Sequence, residues 1–164
     1  MSLKCKPTVT RRAFVASSLA GVMSATLPFP RMAEAATRKF SLRAAPGSTR
    51  LVPEPHPDTA AWCYNGKVPG PEIRIRQGDR LQVEVTNDLA EETTVHWHGI
   101  RLPNAMDGVP HLTRAPIAPG DRFVYEFDAV DAGTFWYHPH QRSFEQVGRG
   151  LYGPLIIEEA NPPW

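Results

Sequence analysis

Short runs that alternate polar and apolar residues recur along this chain, and glycine or proline lies between most of them. Glu72 to Arg76 sets Ile73 and Ile75 on one face, and Leu81 to Thr86 does the same with Leu81, Val83 and Val85. Arg38 to Ala44 and Arg122 to Phe127 repeat the pattern. A period of two is the pleat of a strand with one face buried. Few stretches carry a helical period, and seventeen prolines with twelve glycines favour a loop-rich β protein. Trp62 to Tyr64, Thr93 to His98, Gly133 to His138 and Leu155 to Glu158 complete a set of about eight short strands. The expected fold class is all-β, a β-sandwich or Greek-key barrel with no helix. Glu72–Arg76 and Leu81–Thr86, joined at Gln77-Gly78-Asp79, are expected to pair as a hairpin. The stretch from Pro46 to Pro57 reads as a proline-rich connection. Pro139 has no N–H, so the ladder of the strand before it should stop there or run at an edge.

The length of 164 residues suits one domain. A net charge of +1 argues against nucleic acid or an anionic membrane surface as a partner. The N-terminus reads as an export signal rather than as fold. Lys4, Lys6, Arg11 and Arg12 precede a mildly apolar run from Ala13 to Leu27, which is shorter than the ~20 residues of a membrane span. The paired Arg11-Arg12 before Ala13-Phe14-Val15 resembles a twin-arginine signal. Ala33-Glu34-Ala35 offers small residues for cleavage. The expectation is a signal over residues 1–35, a domain over 36–158, and the start of an interdomain linker over 159–164. The product would be periplasmic or secreted, with no stable membrane span. Cys5 leaves with the signal, so Cys63 has no intrachain partner and reads as a buried thiol. His56, between two prolines, reads as a solvated loop residue.

Four of the six histidines lie in two pairs, His96-Trp97-His98 and His138-Pro139-His140. Residues i and i+2 of a strand point to one face, roughly 6.6–7 Å apart. Each pair therefore presents two imidazoles to one side, and imidazole is the commonest side-chain ligand for copper and zinc. Both pairs are embedded in apolar and aromatic residues: Val95, Trp97, Phe135, Trp136 and Tyr137. Imidazoles buried there need partners, and a metal supplies them. Trp97 and Trp136 read as packing residues rather than electron relays. The loop from Ile100 to Gly120, rich in turn residues, is long enough to imply a function of its own.

Together these motifs resemble the N-terminal cupredoxin domain of a multicopper oxidase, in the laccase and copper-resistance group. The likeness runs through Tyr64-Asn65-Gly66 and Pro69-Gly70-Pro71, Thr94-Val95-His96-Trp97-His98-Gly99 and Asp107-Gly108-Val109-Pro110. It continues through Gly133-Thr134-Phe135-Trp136-Tyr137-His138-Pro139-His140 and Gly150-Leu151-Tyr152-Gly153-Pro154. The resemblance implies a cupredoxin-like Greek-key barrel and a trinuclear copper centre that reduces O2 to water. That centre uses eight histidines, four from the first domain and four from the last. On this likeness His96 would bind the type 2 copper, and His98, His138 and His140 the type 3 pair. Asp107 would be the acidic residue that assists proton delivery, a catalytic role. The implied partners are a C-terminal cupredoxin domain, in the same or another chain, O2, and a small-molecule reductant or Cu(I).

The chain departs from the family in two respects, and the first is the absence of the other four trinuclear ligands, usually set in a His-x-x-His-x-His pattern. Second, a type 1 copper site needs a His-Cys-His motif, and neither Cys5 nor Cys63 is flanked by histidine. The sequence therefore carries half of an oxygen-reducing centre and would be inactive alone. A non-catalytic periplasmic copper-binding module is the alternative. Zinc-hydrolase readings fail on spacing, because no Asp-His follows His98 and no glutamate follows it three or four residues on.

Overall fold

The alternating runs fold into strands whose buried residues fall on every second position, as in Arg80–Asn87, where Leu81, Val83 and Val85 are buried. The computed structural model describes residues 35–162, so the expected signal segment lies outside the described residues, Ala35 excepted. One sheet contains β1 (Thr37–Thr49), β2 (Thr59–Tyr64), β4 (Arg80–Asn87) and β6 (Arg122–Asp128), in the order β2-β1-β4-β6. The other contains β3 (Ile73–Arg76), β5 (His96–His98), β7 (Gly133–His138) and β8 (Gly153–Glu158), in the order β3-β8-β7-β5.

The inner faces of the sheets share one core. Trp97 of β5 meets Phe127 and Tyr125 of β6 with ring centroids 5.3 and 5.7 Å apart. Tyr64 and Tyr137 pack at 5.4 Å. Each such aromatic is fully buried, which stabilises the fold by about 1.5–3 kcal/mol per large side chain. Cys63 is buried in β2, and burial pushes its thiol pKa up. His56 is exposed in its loop.

Three expectations need correction. Residues 72–76 and 81–86 do not form a hairpin: β3 pairs in parallel with β8, while β4 pairs with β1 and β6 in the other sheet. Both runs are half-apolar and face the same core from opposite sides, and the turn between them is a corner. Asp79 holds that corner by accepting from the N–H groups of Arg76 and Ala36, at 3.0 and 3.1 Å, and from Arg38 Nε at 3.1 Å. The first strand does not stop at Ala44. It runs on through Pro46 to Thr49, bonded to β4 up to Ala44 and to β2 beyond it. Pro46 lies where β1 has a neighbour on one side only, so its missing N–H removes no bond to β4. Finally, the described residues include two short helical turns: a 3-10 turn at Asn104–Met106, and α1 (Ser143–Gln146) shortly after the second histidine pair. Among the described residues, no helix is long and apolar enough to cross a membrane.

Candidate metal centre

One register builds most of the site. In the antiparallel β5–β7 pair, His96 faces His138, Trp97 faces Tyr137, and His98 faces Trp136. Because side chains alternate, Trp97 and Tyr137 go together into the core, where both are fully buried. His96, His98, Trp136 and His138 then share the opposite face. A slip of one residue would expose two core aromatics and bury the imidazoles, so the aromatic residues fix where the histidines point.

The ladder ends at His138, as Pro139 requires. His140 therefore lies beyond the strand, and the second pair is not two residues of one strand. The four rings still converge. Centroids lie 5.7 Å apart for His96–His98, 5.4 Å for His96–His138, 4.3 Å for His96–His140 and 5.2 Å for His138–His140. One ligand atom each from His96, His138 and His140 lie within 4.8 Å of one another. His98 joins through Nδ1, which is 3.3 Å from His138 Nε2. His138 is buried, whereas His98 and His140 are exposed. Trp136 stacks on His138 at 3.9 Å with the planes 22° apart, covering one face of that ring.

The long loop after β5 supplies the partner of His96. Its Nδ1–H donates to the backbone carbonyl of Asp107 at 2.8 Å, and Asp107 Oδ1 lies 3.2 Å from the same nitrogen. That leaves Nε2 as the free lone pair. Gly108 makes this approach possible: its φ is +74°, and a Cβ there would lie 1.8 Å from the Val95 carbonyl oxygen. On the other side of the site, His138 Nδ1–H donates to the Pro139 carbonyl at 3.0 Å, so its Nε2 is also free.

Burial favours the neutral form of two of these rings, His138 and His140. Burial pushes the His138 pKa down to about 4, and the neighbouring imidazoles push the same way. The His140 pKa is also lowered, first by burial and then by His96. A neutral imidazole with its second nitrogen already donating to a carbonyl is the form that binds a metal. Two nitrogens 3.3 Å apart also suit two ligands of one ion with bonds of ~2 Å. The residues fit copper on these grounds: an all-nitrogen donor set that converges, with Nε2 of His96 and of His138 left free by the bonds their Nδ1–H groups make.

The structure thus brings together all five residues singled out from sequence: His96, His98, His138, His140 and Asp107. Sequence reasoning missed Thr94 and Gln146. Both are fully buried polar residues beside the site. Thr94 lies two residues before His96, but of the strand expected over Thr93–His98 only His96–His98 is in the ladder, so strand periodicity does not place it. Nothing in the sequence around Gln146 marks it.

The fold and the cluster define an all-β, two-sheet domain with a histidine cluster that could hold metal ions. The multicopper oxidase family profile matches residues 47–162. Copper resistance protein A of Pseudomonas syringae pv. tomato is 49% identical over 102 residues, covering 62% of this chain and 16% of that protein. Multicopper oxidase MmcO of Mycobacterium tuberculosis is 37% identical, covering 94% of this chain and 33% of that protein. A crystal structure of a multi-copper oxidase from Pseudomonas thermotolerans superposes with a TM-score of 0.74 at 54% identity, over 78% of this chain and 31% of that one. The chain belongs to the multicopper oxidase family. It spans a third or less of the length of these relatives.

Proposed function

We propose that this chain is the N-terminal part of a multicopper oxidase and contributes half of a trinuclear copper centre. That centre would reduce O2 to water while phenols, aromatic amines or Cu(I) are oxidised. The observation that carries the reading is the convergence of four imidazoles on one face, with His98 Nδ1 and His138 Nε2 3.3 Å apart. His96 would hold the type 2 copper through Nε2. His98, His138 and His140 would hold the type 3 pair. Bound copper supplies the one-electron steps that the reaction needs. The chain's own residues hold the ligands: Asp107 fixes the tautomer and ring plane of His96, and the Pro139 carbonyl does so for His138. Asp107 would accept and return a proton at the edge of the site, a role supported by its Oδ1 lying 3.2 Å from His96 Nδ1.

The remaining ligands would come from a C-terminal cupredoxin domain, in the same or a partner chain. We also propose export through the twin-arginine signal over residues 1–35, a cupredoxin domain over 36–158 and a linker from 159. Adding a cognate C-terminal domain should give copper-dependent O2 uptake, and His98→Ala should abolish it. Copper binding without O2 uptake in the joined protein would point instead to a non-catalytic copper-binding module.

A further inference from the structure

His140 is the one histidine of the four that no sheet places. The β5–β7 register fixes His96, His98 and His138, and the ladder ends before Pro139. Segment 91–95, which leads into His96, also lies outside the ladder apart from a bridge between Thr93 and Ile117. Side chains join these two stretches. Thr94 Oγ1 accepts from the His140 backbone N–H at 3.0 Å. Gln146, in the helical turn six residues after His140, sends its amide back to the same stretch. Its Nε2 donates to Glu91 Oε1 at 2.8 Å and to the Glu92 carbonyl at 2.9 Å, and its Oε1 accepts from Thr93 Oγ1 at 2.8 Å. Arg142 adds a bond to the other oxygen of Glu91 at 2.8 Å. Thr93, Thr94 and Gln146 are all fully buried. A buried amide with both donors and its acceptor satisfied has one low-energy arrangement, because any other leaves a polar group unpaired.

We propose that Thr94 and Gln146 are positioning residues that set His140 against His96, in place of the sheet ladder that Pro139 interrupts. The metal side of the inference rests on His140 being a copper ligand, as proposed above. Loss of either side chain would release His140 and leave the other three histidines in register.

The test is amide hydrogen exchange, followed by NMR on the full chain without metal. Thr94→Val removes the acceptor and keeps the shape, so the His140 amide should exchange roughly tenfold faster. The Trp97 and Tyr137 amides should stay within about twofold of wild type, because the ladder holds them. Thr94→Ser keeps the hydroxyl and should restore slow exchange at His140. Gln146→Leu should accelerate His140 in the same selective way, and Thr94→Val carries the test if that variant does not fold. An unchanged His140 rate in Thr94→Val, or equal acceleration throughout the ladder, overturns the proposal. Cu(II) titration of wild type, Thr94→Val, His140→Ala and the double variant gives a second readout. The affinity lost in Thr94→Val should vanish once His140 is gone, and a loss that persists undiminished overturns the positioning role. If the wild-type chain takes up no copper, the functional reading above fails, while hydrogen exchange still decides the positioning claim.

Discussion

Gly108→Ala is expected to separate Asp107 from His96. A Cβ at this position would sit 1.8 Å from the Val95 carbonyl oxygen and 2.5 Å from its carbon, both backbone atoms that no rotamer change can move. Contact must open from 1.8 to at least 3.0 Å, so the loop and the start of β5 part by roughly 1.2 Å. Asp107 Oδ1 already lies 3.2 Å from His96 Nδ1, and such a shift carries it out of hydrogen-bond range. Gly78 is the internal control. It too has a positive φ, +92°, but a Cβ there would have nothing within 4 Å. Gly78→Ala should therefore lose only the left-handed backbone penalty, about 1–2 kcal/mol. Gly108→Ala adds overpacking of about 1–3 kcal/mol, for a total of about 2–5. Urea unfolding of the metal-free chain measures both, through the midpoint at constant slope. Cu(II) affinity measures the site: a fall of about 10–100-fold in Gly108→Ala, and none in Gly78→Ala. Equal midpoints and equal copper affinities for the two variants would refute the claim that this close approach holds the loop on His96.

Two neighbouring tyrosines should respond to loss of the hydroxyl in opposite directions. Tyr137 O–H donates to the Pro71 carbonyl at 2.7 Å, so Tyr137→Phe should destabilise by about 1 kcal/mol. The buried Tyr64 hydroxyl has no partner among the described residues, so Tyr64→Phe should be neutral or stabilising, and thermal unfolding of the pair distinguishes the two. Acid should destabilise the metal-free chain through His138. Its folded pKa of about 4 lies below the usual 6.5, so between these values the unfolded chain binds more protons and stability falls as pH falls. The loss is bounded at about 3 kcal/mol, is absent above pH 7, and should shrink in His138→Gln when denaturation midpoints are compared at pH 7 and pH 4.5.

The alternation of polar and apolar residues made the strands legible, because burial of one face leaves a period of two in the sequence. It made the site legible as well. Trp97 between His96 and His98 says which face is core, and Tyr137 before His138 says the same for the partner strand. Pairing was harder to read. Ile73–Arg76 and Arg80–Asn87 look like a hairpin because they are adjacent and joined by Gln77-Gly78-Asp79. Whether such runs pair or cross between sheets depends on β8 and β1, which lie far away in sequence. The corner is set by Asp79, whose bonds to Ala36 and Arg38 span about forty residues. Helical turns as short as Ser143–Gln146 carry no period at all, so Gln146 could not be found from pattern.

The exposure of the four histidines argues for how the site is completed. His138 is buried, His96 is half-buried, and His98 and His140 are exposed. The domain thus supplies its donors from one side, with the β5–β7 ladder and the Asp107 loop behind them. An ion held by His98 and His138, by His140, or by His96 would have ligands from this domain on the inner side only. Copper with nitrogen ligands takes more than two donors, so the outer side must be filled by water or by further side chains. Water there would leave the ion open to exchange, which suits a carrier. Imidazoles from a second domain would close it, which suits a centre that must hold several ions through many turnovers. The rigid supports already present favour the second arrangement. Asp107 and Pro139 each fix a tautomer, and Gly108 gives up a side chain so that the loop can reach His96.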